Sequence, residues 1–139
     1  MKLLTKNTDY AIRAIMYLAE NRECYISSRE IAEAEHISIP FVRRILQELT
    51  KGGLVETKEG VSGGLKLKKA PKDIAITDVI KIIQGDIQLT ECMFQKRLCE
   101  NRNICVLRNR IKNIEAKVIA EFSDITIKTL LNDIKRGKS

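Results

Sequence analysis

The sequence predicts a mainly α-helical fold with one small β-hairpin. A short helix and a longer helix are separated by a turn of a few residues, which is helix-turn-helix spacing. Two alternating segments follow with a glycine-rich tip between them, and a long helix with a narrow apolar stripe lies further on. Together these observations predict a winged helix-turn-helix domain plus a long dimerisation helix.

The length and composition fit an ordinary soluble protein. The chain has 139 residues, with 44% apolar and 31% charged, enough for one compact core. Its formal charge of +7 favours a polyanion partner without proving one. The sequence shows no membrane span, and its first residues lack the pattern of a signal peptide. We therefore expect a cytoplasmic protein with no membrane partner.

The first two helices are predicted from caps and apolar spacing. Thr8 is predicted to cap the first helix. Ser27 and Glu30 have the spacing of a capping box, which predicts a second helix from about residue 28 to 35. That helix is expected to present Ile31 and Ala34 to the core, and the next residues, 36–37, are expected to end it.

The third helix has the clearest helical pattern. Ser38 is predicted to be its cap, and Pro40 falls in its first turn, where a missing amide hydrogen costs little. Its apolar residues recur at i, i+3, i+4 and i+7, namely at Val42, Ile45, Leu46 and Leu49. The glycine pair 52–53 is expected to end it.

The hairpin that follows is predicted to be a wing. Residues 54–57 and 65–68 both alternate, and the segment 58–64 between them contains three glycines and a lysine. Pro71 closes this unit. We therefore predict that residues 1–70 form a winged helix-turn-helix DNA-binding domain.

The second half, residues 71–139, is predicted to hold a sensor loop at 86–105 and dimerisation helices. A short helix from Thr77 ends at Gly85, and a last helix starts at Thr126. A long helix from about 105 to 122 lies between them, with a narrow stripe at Leu107, Ile111, Ile114, Val118 and Phe122. A stripe of this kind needs another surface to bury it, and a two-fold mate is the simplest one.

Three cysteines lie within a polar segment, with the spacing C-x6-C-x5-C at Cys92, Cys99 and Cys105. Clustered cysteines in the cytoplasm are more often metal ligands or redox groups than structural disulfides. Thiolates suit iron–sulfur clusters and zinc alike. The wide gaps favour an iron–sulfur cluster, and zinc or a direct thiol switch are the alternatives. Cys24 is interpreted as a semi-buried thiol, and His36 as a turn residue rather than a ligand.

Candidate DNA contacts lie at helix starts and on the wing. The amino end of a recognition helix faces base edges, and hydroxyls and backbone amides there suit phosphates. Glycines let a wing approach a phosphate or the minor groove closely. The candidates are Ser28, Arg29, Ser38, Ile39, Pro40, Arg43, Arg44, Ser62, Gly63, Gly64 and Lys66. No triad, carboxylate pair or phosphate loop indicates an enzyme.

With these features in order, the chain resembles the IscR/NsrR-type family of bacterial winged-helix transcription regulators, also called the Rrf-two family. The resemblance covers nearly the whole chain. It is carried by the cysteine triad and by the segments LTK at 4–6, TDYA at 8–11, IS at 37–38, KGGLV at 51–55, GGL at 63–65 and DIT at 124–126.

The resemblance implies a homodimer that binds a pseudo-palindromic promoter site of double-stranded DNA. It also implies sensing of iron–sulfur status, oxidants or nitric oxide through a [2Fe-2S] or [4Fe-4S] cluster on the cysteine loop. Some members use a histidine three residues after the last cysteine, where this chain has Arg108, which cannot ligate a metal. In others an aspartate of the other subunit completes the site, and Asp9 is at that position. A small iron–sulfur electron carrier is the competing class.

Overall fold

The structure, a computed structural model, describes residues 3–89 and 106–137. Within them it has a mainly helical fold with one two-stranded antiparallel sheet, which confirms the predicted fold class. In chain order the elements are α1 (Lys6–Glu20), α2 (Ser28–Glu35), α3 (Ile39–Lys51), β1 (Val55–Lys58), β2 (Gly64–Leu67), a 3-10 turn (Pro71–Asp73), α4 (Ile76–Ile83), α5 (Val106–Ser123) and α6 (Ile127–Gly137).

Helix α1 begins earlier than the sequence predicted. Thr5 is its N-cap, and the Thr5 hydroxyl accepts a hydrogen bond from the backbone N–H of Thr8 at 3.2 Å. The prediction that Thr8 caps the helix was therefore wrong. Both threonines suit a cap, but Thr8 is fully buried within the first turn, where its hydroxyl has partners of its own.

Helix α2 has the predicted bounds and cap. The Ser27 hydroxyl accepts from the backbone N–H of Glu30 at 3.1 Å. The Glu30 carboxylate is used elsewhere, because it accepts a 2.7 Å hydrogen bond from the Tyr17 hydroxyl on α1. The core-facing pair is Ile31 with Ala32, not the predicted Ala34, which is exposed.

The helix-turn-helix corner and α3 follow the prediction closely. His36 ends α2 in the left-handed conformation, with φ of 57°. All four residues of the predicted apolar stripe of α3 are buried. Ser38 occupies the N-cap position but makes no side-chain cap hydrogen bond. One reason is that Pro40, in the first turn, has no N–H to donate.

The wing is a hairpin whose first strand lies one residue later, and whose second strand lies one residue earlier, than predicted. Val55 pairs with Leu67, and Lys58 pairs with Gly64. Ile26, in the loop between α1 and α2, adds a bridge on the outer side of β2: its N–H and C=O each bond to Leu65 at 2.8 Å. The base of the wing therefore has three backbone segments side by side.

One buried cluster includes residues from both sides of residue 70. Ile15 of α1, Leu49 of α3, Ile80 of α4 and Ile127 of α6 all belong to it. The two sides of residue 70 therefore share one hydrophobic core. The predicted division at that residue stays a proposal about function.

Helix α5 differs from the others because none of its residues is buried. The side chains of Leu107 and Ile114 are 66% and 53% exposed. Val118 and Phe122 are partly buried against the core. None of the described helices is long and apolar enough to cross a membrane.

Candidate nucleic-acid interface and sensor region

The outer face of α3 is polar and open to solvent. Residues 40, 43, 44 and 47 are all exposed and recur at i, i+3, i+4 and i+7, on the side opposite the buried stripe. Arg43, Arg44 and Gln47 thus share one face of the helix that follows the turn. A helix with this arrangement can present three hydrogen-bonding side chains to the major groove.

The two arginines of this face have different anchors. Arg43 Nε donates to the Ser28 hydroxyl at 3.4 Å, which connects α3 to the first residue of α2. The Arg44 guanidinium lies 5.0 Å from the centroid of the Phe41 ring. The Phe41 ring packs edge-on against Tyr10 of α1, with 5.4 Å between the ring centroids. The structure therefore places Ser28, Arg43 and Arg44, three of the predicted DNA contacts, on one surface.

The starts of α2 and α3 supply the other predicted contacts. Arg29, Ser38 and Pro40 are exposed, whereas Ser28 and Ile39 are partly buried. Because the Ser38 hydroxyl does not cap the helix, it is available to an external acceptor. Two helix starts with exposed polar groups can hold phosphate oxygens beside the positive ends of the helix dipoles.

Contacts within the chain explain why glycine occupies two positions of the wing. A Cβ at Gly63 would collide with the carbonyl group of Lys58. A Cβ at Gly64 would lie 2.7 Å from the carbonyl oxygen of Ile26, and the residue has φ of +150°. Close approach to DNA is therefore not needed to explain either glycine. Ser62 and Val61 at the tip are exposed, and Lys66 is partly buried.

The sensor region is described only in part. The predicted ligands Cys92, Cys99 and Cys105 lie outside the described residues. Among residues 3–89 and 106–137, no group of three histidine, cysteine or acidic residues is placed to hold a metal. Asp9 is in the first turn of α1 with its side chain half exposed, and its carboxylate pairs with Arg13 at 3.1 Å. Arg108 is in the first turn of α5.

Cys24 is exposed, so the prediction of a semi-buried thiol was wrong. The residue lies in the turn after α1, where its N–H bonds to the carbonyl of Asn21 at 3.2 Å. The turn reverses the chain at the surface before Ile26 joins the wing. Apolar neighbours in sequence therefore do not cover this thiol.

A single side chain connects α1 to the end of α4. The Gln84 carbonyl oxygen accepts from the Thr5 N–H at 3.1 Å and from the Thr8 hydroxyl at 2.7 Å. The Gln84 amide donates to the carbonyl of Leu3 at 3.1 Å. Gln84 is the last residue before Gly85, from which the chain runs towards the cysteine segment. These hydrogen bonds connect the residue that precedes that segment to the start of α1, the helix that carries Asp9.

The sequence family described as Rrf2, Iron-dependent Transcriptional regulator, matches residues 4–133. This chain belongs to the Rrf2 family. Its predicted resemblance to winged-helix transcription regulators is confirmed, and so is the prediction that it is a regulator and not an enzyme. An Rrf2 protein is a DNA-binding transcriptional regulator, so DNA in general is its partner, and the electron-carrier alternative is set aside.

Relatives agree with this assignment, and a solved structure agrees with the fold. Over 133 residues the chain is 35% identical to the HTH-type transcriptional regulator NsrR of Bacillus licheniformis, covering 94% of this chain and 90% of that protein. Over 89 residues it is 43% identical to Protein aau3 of Rhizobium meliloti, covering 64% of this chain and 58% of that protein. The structure of T. potens IscR superposes with a TM-score of 0.78 at 23% identity, covering 100% of this chain and 92% of that one.

The sequence reasoning missed three residues of this Rrf2 chain that the structure makes prominent. Gln47 shares the exposed face of α3, and its i+3 and i+4 spacing from Arg43 and Arg44 was available in the sequence. Tyr25 contacts two lysines of the wing, and Gln84 joins α4 to α1. The contacts of Tyr25 and Gln84 lie far apart in sequence, so no local pattern marks them.

Proposed function

We propose that this Rrf2 protein acts as a homodimer on pseudo-palindromic promoter DNA and reports iron–sulfur, redox or nitric oxide status. Each protomer would read one half-site with the exposed face of α3 and place its wing beside the adjacent phosphates. Cys92, Cys99 and Cys105 would hold the cluster, with Asp9 of the other subunit as fourth ligand. Within this proposal, residues 1–70 read DNA and residues 71–139 sense and dimerise.

The observation that carries the DNA-binding part is the shared surface of α2 and α3. Ser28, Arg43 and Arg44 lie together on it, and each arginine is held by a neighbour of its own. Side chains that are already ordered lose less entropy when they meet a base or a phosphate. Of the two, Arg43 is our choice for base contact, since Arg44 is stacked on Phe41.

The cluster part is supported by donor chemistry. Three thiols are suitable ligands for iron, and the Arg108 guanidinium is not a ligand at all. The Asp9 carboxylate is half exposed on α1, so a second subunit can reach it. Bound iron–sulfur clusters supply redox chemistry and a reaction centre for nitric oxide. The matching family is described as iron-dependent, which favours an iron–sulfur cluster over zinc.

Contacts of the described residues offer a route from Asp9 to the DNA-reading face. Asp9 is followed by Tyr10, whose ring touches the edge of Phe41. Phe41 carries Arg44 on its face. A displacement of the start of α1 would thus be transmitted to α3 through the rings of Tyr10 and Phe41. We expect Phe41→Leu to reduce the ratio of DNA affinities between cluster-loaded and cluster-free protein, measured by fluorescence anisotropy.

Oxygen-free purification tests the cluster directly. We expect coloured protein with iron and acid-labile sulfide, and we expect absorption and Mössbauer spectra to show which cluster type is present. Cys92→Ser, Cys99→Ser and Cys105→Ser should each lose the colour, whereas Cys24→Ser, the matched control, should keep it. Colourless protein with bound zinc would favour the structural-zinc alternative. Metal-free protein whose DNA affinity changes on thiol oxidation would favour direct thiol switching.

A mobility-shift assay with DNA from upstream of the gene tests the interface. Arg43→Ala should weaken specific binding by about 10-fold or more, because a good contact from arginine to guanine contributes about 1–3 kcal/mol. Arg136→Ala on α6 removes the same charge from an exposed site away from α3 and should change affinity far less. Equal losses from both variants would contradict the proposed face.

A further inference from the structure

The outer face of the wing carries one aromatic ring and two ammonium groups. Side chains alternate between the two faces of a strand, and paired residues point to the same face. On the inner face Val55, Leu65 and Leu67 are buried. The outer face carries Lys58 and Lys66, together with Tyr25 from the neighbouring segment.

The two lysines converge on the Tyr25 ring. Lys58 Nζ is 5.5 Å from the ring centroid, and Lys66 Nζ is 5.3 Å from it. Ile26 bridges Leu65 in antiparallel fashion, which puts Tyr25 beside Lys66. Gly64 faces Lys58 in the register and has no side chain, so it leaves the path from Lys58 to the ring open. Both distances are within the range of a cation–π interaction.

The two ammonium groups of this face form no ion pair within the described part of the chain. Glu56 is the partner of Lys66 in the register, yet across residues 3–89 and 106–137 neither lysine forms an ion pair. Two like charges held near one ring repel each other, and an anion between them would relieve the repulsion. The uncharged ring attracts the ammonium groups without cancelling their charge.

We infer that Tyr25 is a positioning residue that orders Lys58 and Lys66 to bind DNA phosphate on the outer face of the wing. The inference rests on the proposed DNA interface and adds two residues, Tyr25 and Lys58, to it. A lysine side chain has a flexible four-carbon stem, and ordering it before binding lowers the entropy lost on contact with a phosphate. The hydroxyl of Tyr25 is not part of this action, because the ring alone attracts the cations.

The test uses the full chain and a DNA duplex of mixed sequence, about 30 base pairs or roughly three helical turns long. Phosphate contacts are independent of sequence, so no operator is needed. The dissociation constant is measured by fluorescence anisotropy over a series of salt concentrations. We expect Lys58→Gln with Lys66→Gln to reduce the slope of log affinity against log salt by about 2 for each bound wing.

The Tyr25 variants separate the ring from the hydroxyl. Tyr25→Phe should bind DNA like the unmodified protein. Tyr25→Leu, which keeps apolar bulk, should weaken binding about two- to five-fold for each wing. In the double-lysine variant the same Tyr25→Leu change should have no further effect, because Tyr25 acts through those lysines. Lys128→Gln on α6 is the control for the loss of a positive charge at an exposed site outside the wing. It should leave the slope nearly unchanged.

Thermal unfolding of each variant checks that the protein is folded. Should Tyr25→Leu not fold, Tyr25→Met, which also removes the ring and keeps apolar bulk, takes its place. An unchanged slope in the double-lysine variant overturns the inference, as does a Tyr25→Phe loss equal to that of Tyr25→Leu. Absence of any DNA binding by the unmodified protein would instead contradict the proposed function.

Discussion

Helices α3 and α5 both have an apolar stripe, but within residues 3–89 and 106–137 the stripe of α3 is buried and that of α5 is only partly covered. Leu49 of α3 is fully buried, whereas Leu107 of α5 is 66% exposed. The core that covers α3 is built from α1, α2, α4 and the wing. The difference supports the proposal that the helix-turn-helix has its core within one chain, and that the surface of α5 left exposed by the described residues packs against a second protomer.

The largest effect is expected where α3 is buried. Leu46→Ala should lower the free energy of unfolding by about 2–5 kcal/mol, through lost apolar burial and the cavity left behind. Gln47→Ala, at the adjacent but exposed position, should change it by less than about 0.5 kcal/mol. Chemical denaturation of both variants measures the contrast, and equal losses would contradict the burial of the α3 stripe.

A smaller effect is expected on α5, and on association rather than folding. Ile114→Ala should weaken the dimer by about 2 kcal/mol in total, roughly 30-fold in dissociation constant, because a two-fold interface loses the side chain twice. Lys112→Ala, on the opposite side of the helix, is the control. Sedimentation velocity over a range of concentrations measures the constant. An unchanged constant in Ile114→Ala would mean that the exposed stripe is not the dimer contact.

The junction between the two regions is tested by Gln84→Ala. The variant removes three hydrogen bonds that join α4 to the start of α1, and it deprives the buried Thr8 hydroxyl of one partner. We expect a loss of about 1–2 kcal/mol of unfolding free energy. Gln88→Ala, at an exposed position a few residues on, is the matched control and should be nearly neutral. A Gln84→Ala protein as stable as the control would show that these hydrogen bonds do not contribute to the free energy of unfolding.

The smallest effect is a loss of stability at alkaline pH, at the contact between α1 and α2. The Glu30 carboxylate, by accepting the Tyr17 hydrogen bond, raises the pKa of Tyr17 above its ordinary value. A raised folded pKa means that this stabilisation is present below the unfolded pKa of about 10 and is lost as the pH rises through the folded value. Absorbance titration should show one late-titrating tyrosine that Tyr17→Phe removes. If Glu30→Gln leaves that titration unchanged, the assigned cause is wrong.

Local patterns in the sequence were sufficient to predict α2 and α3. The α3 stripe, the Ser27 cap and the end of α2 at His36 depend on neighbours a few residues apart, and the structure confirms them. The choice of Thr8 as a cap failed because two threonines satisfy the same local rule. Tertiary contacts with Gln84, 76 residues away in sequence, separate them.

Contacts that join distant segments could not be predicted from the sequence. The bridge from Ile26 to Leu65 and the lysines around Tyr25 need the wing to be folded back on the α1–α2 loop. The sequence also did not show the steric reasons for Gly63 and Gly64, which are the close contacts of their backbone with Lys58 and Ile26. The roles of Cys92, Cys99, Cys105 and Asp9 stay predictions, and the DNA contacts do too.

Native mass spectrometry of the full chain, prepared without oxygen, tests the central claim most directly. The account predicts the mass of a dimer that carries one iron–sulfur cluster for each protomer. Cys99→Ser should give a mass without iron or sulfide, while Cys24→Ser should keep the full mass. A monomer of unmodified protein with no bound iron or sulfide, under the same conditions, would contradict the account.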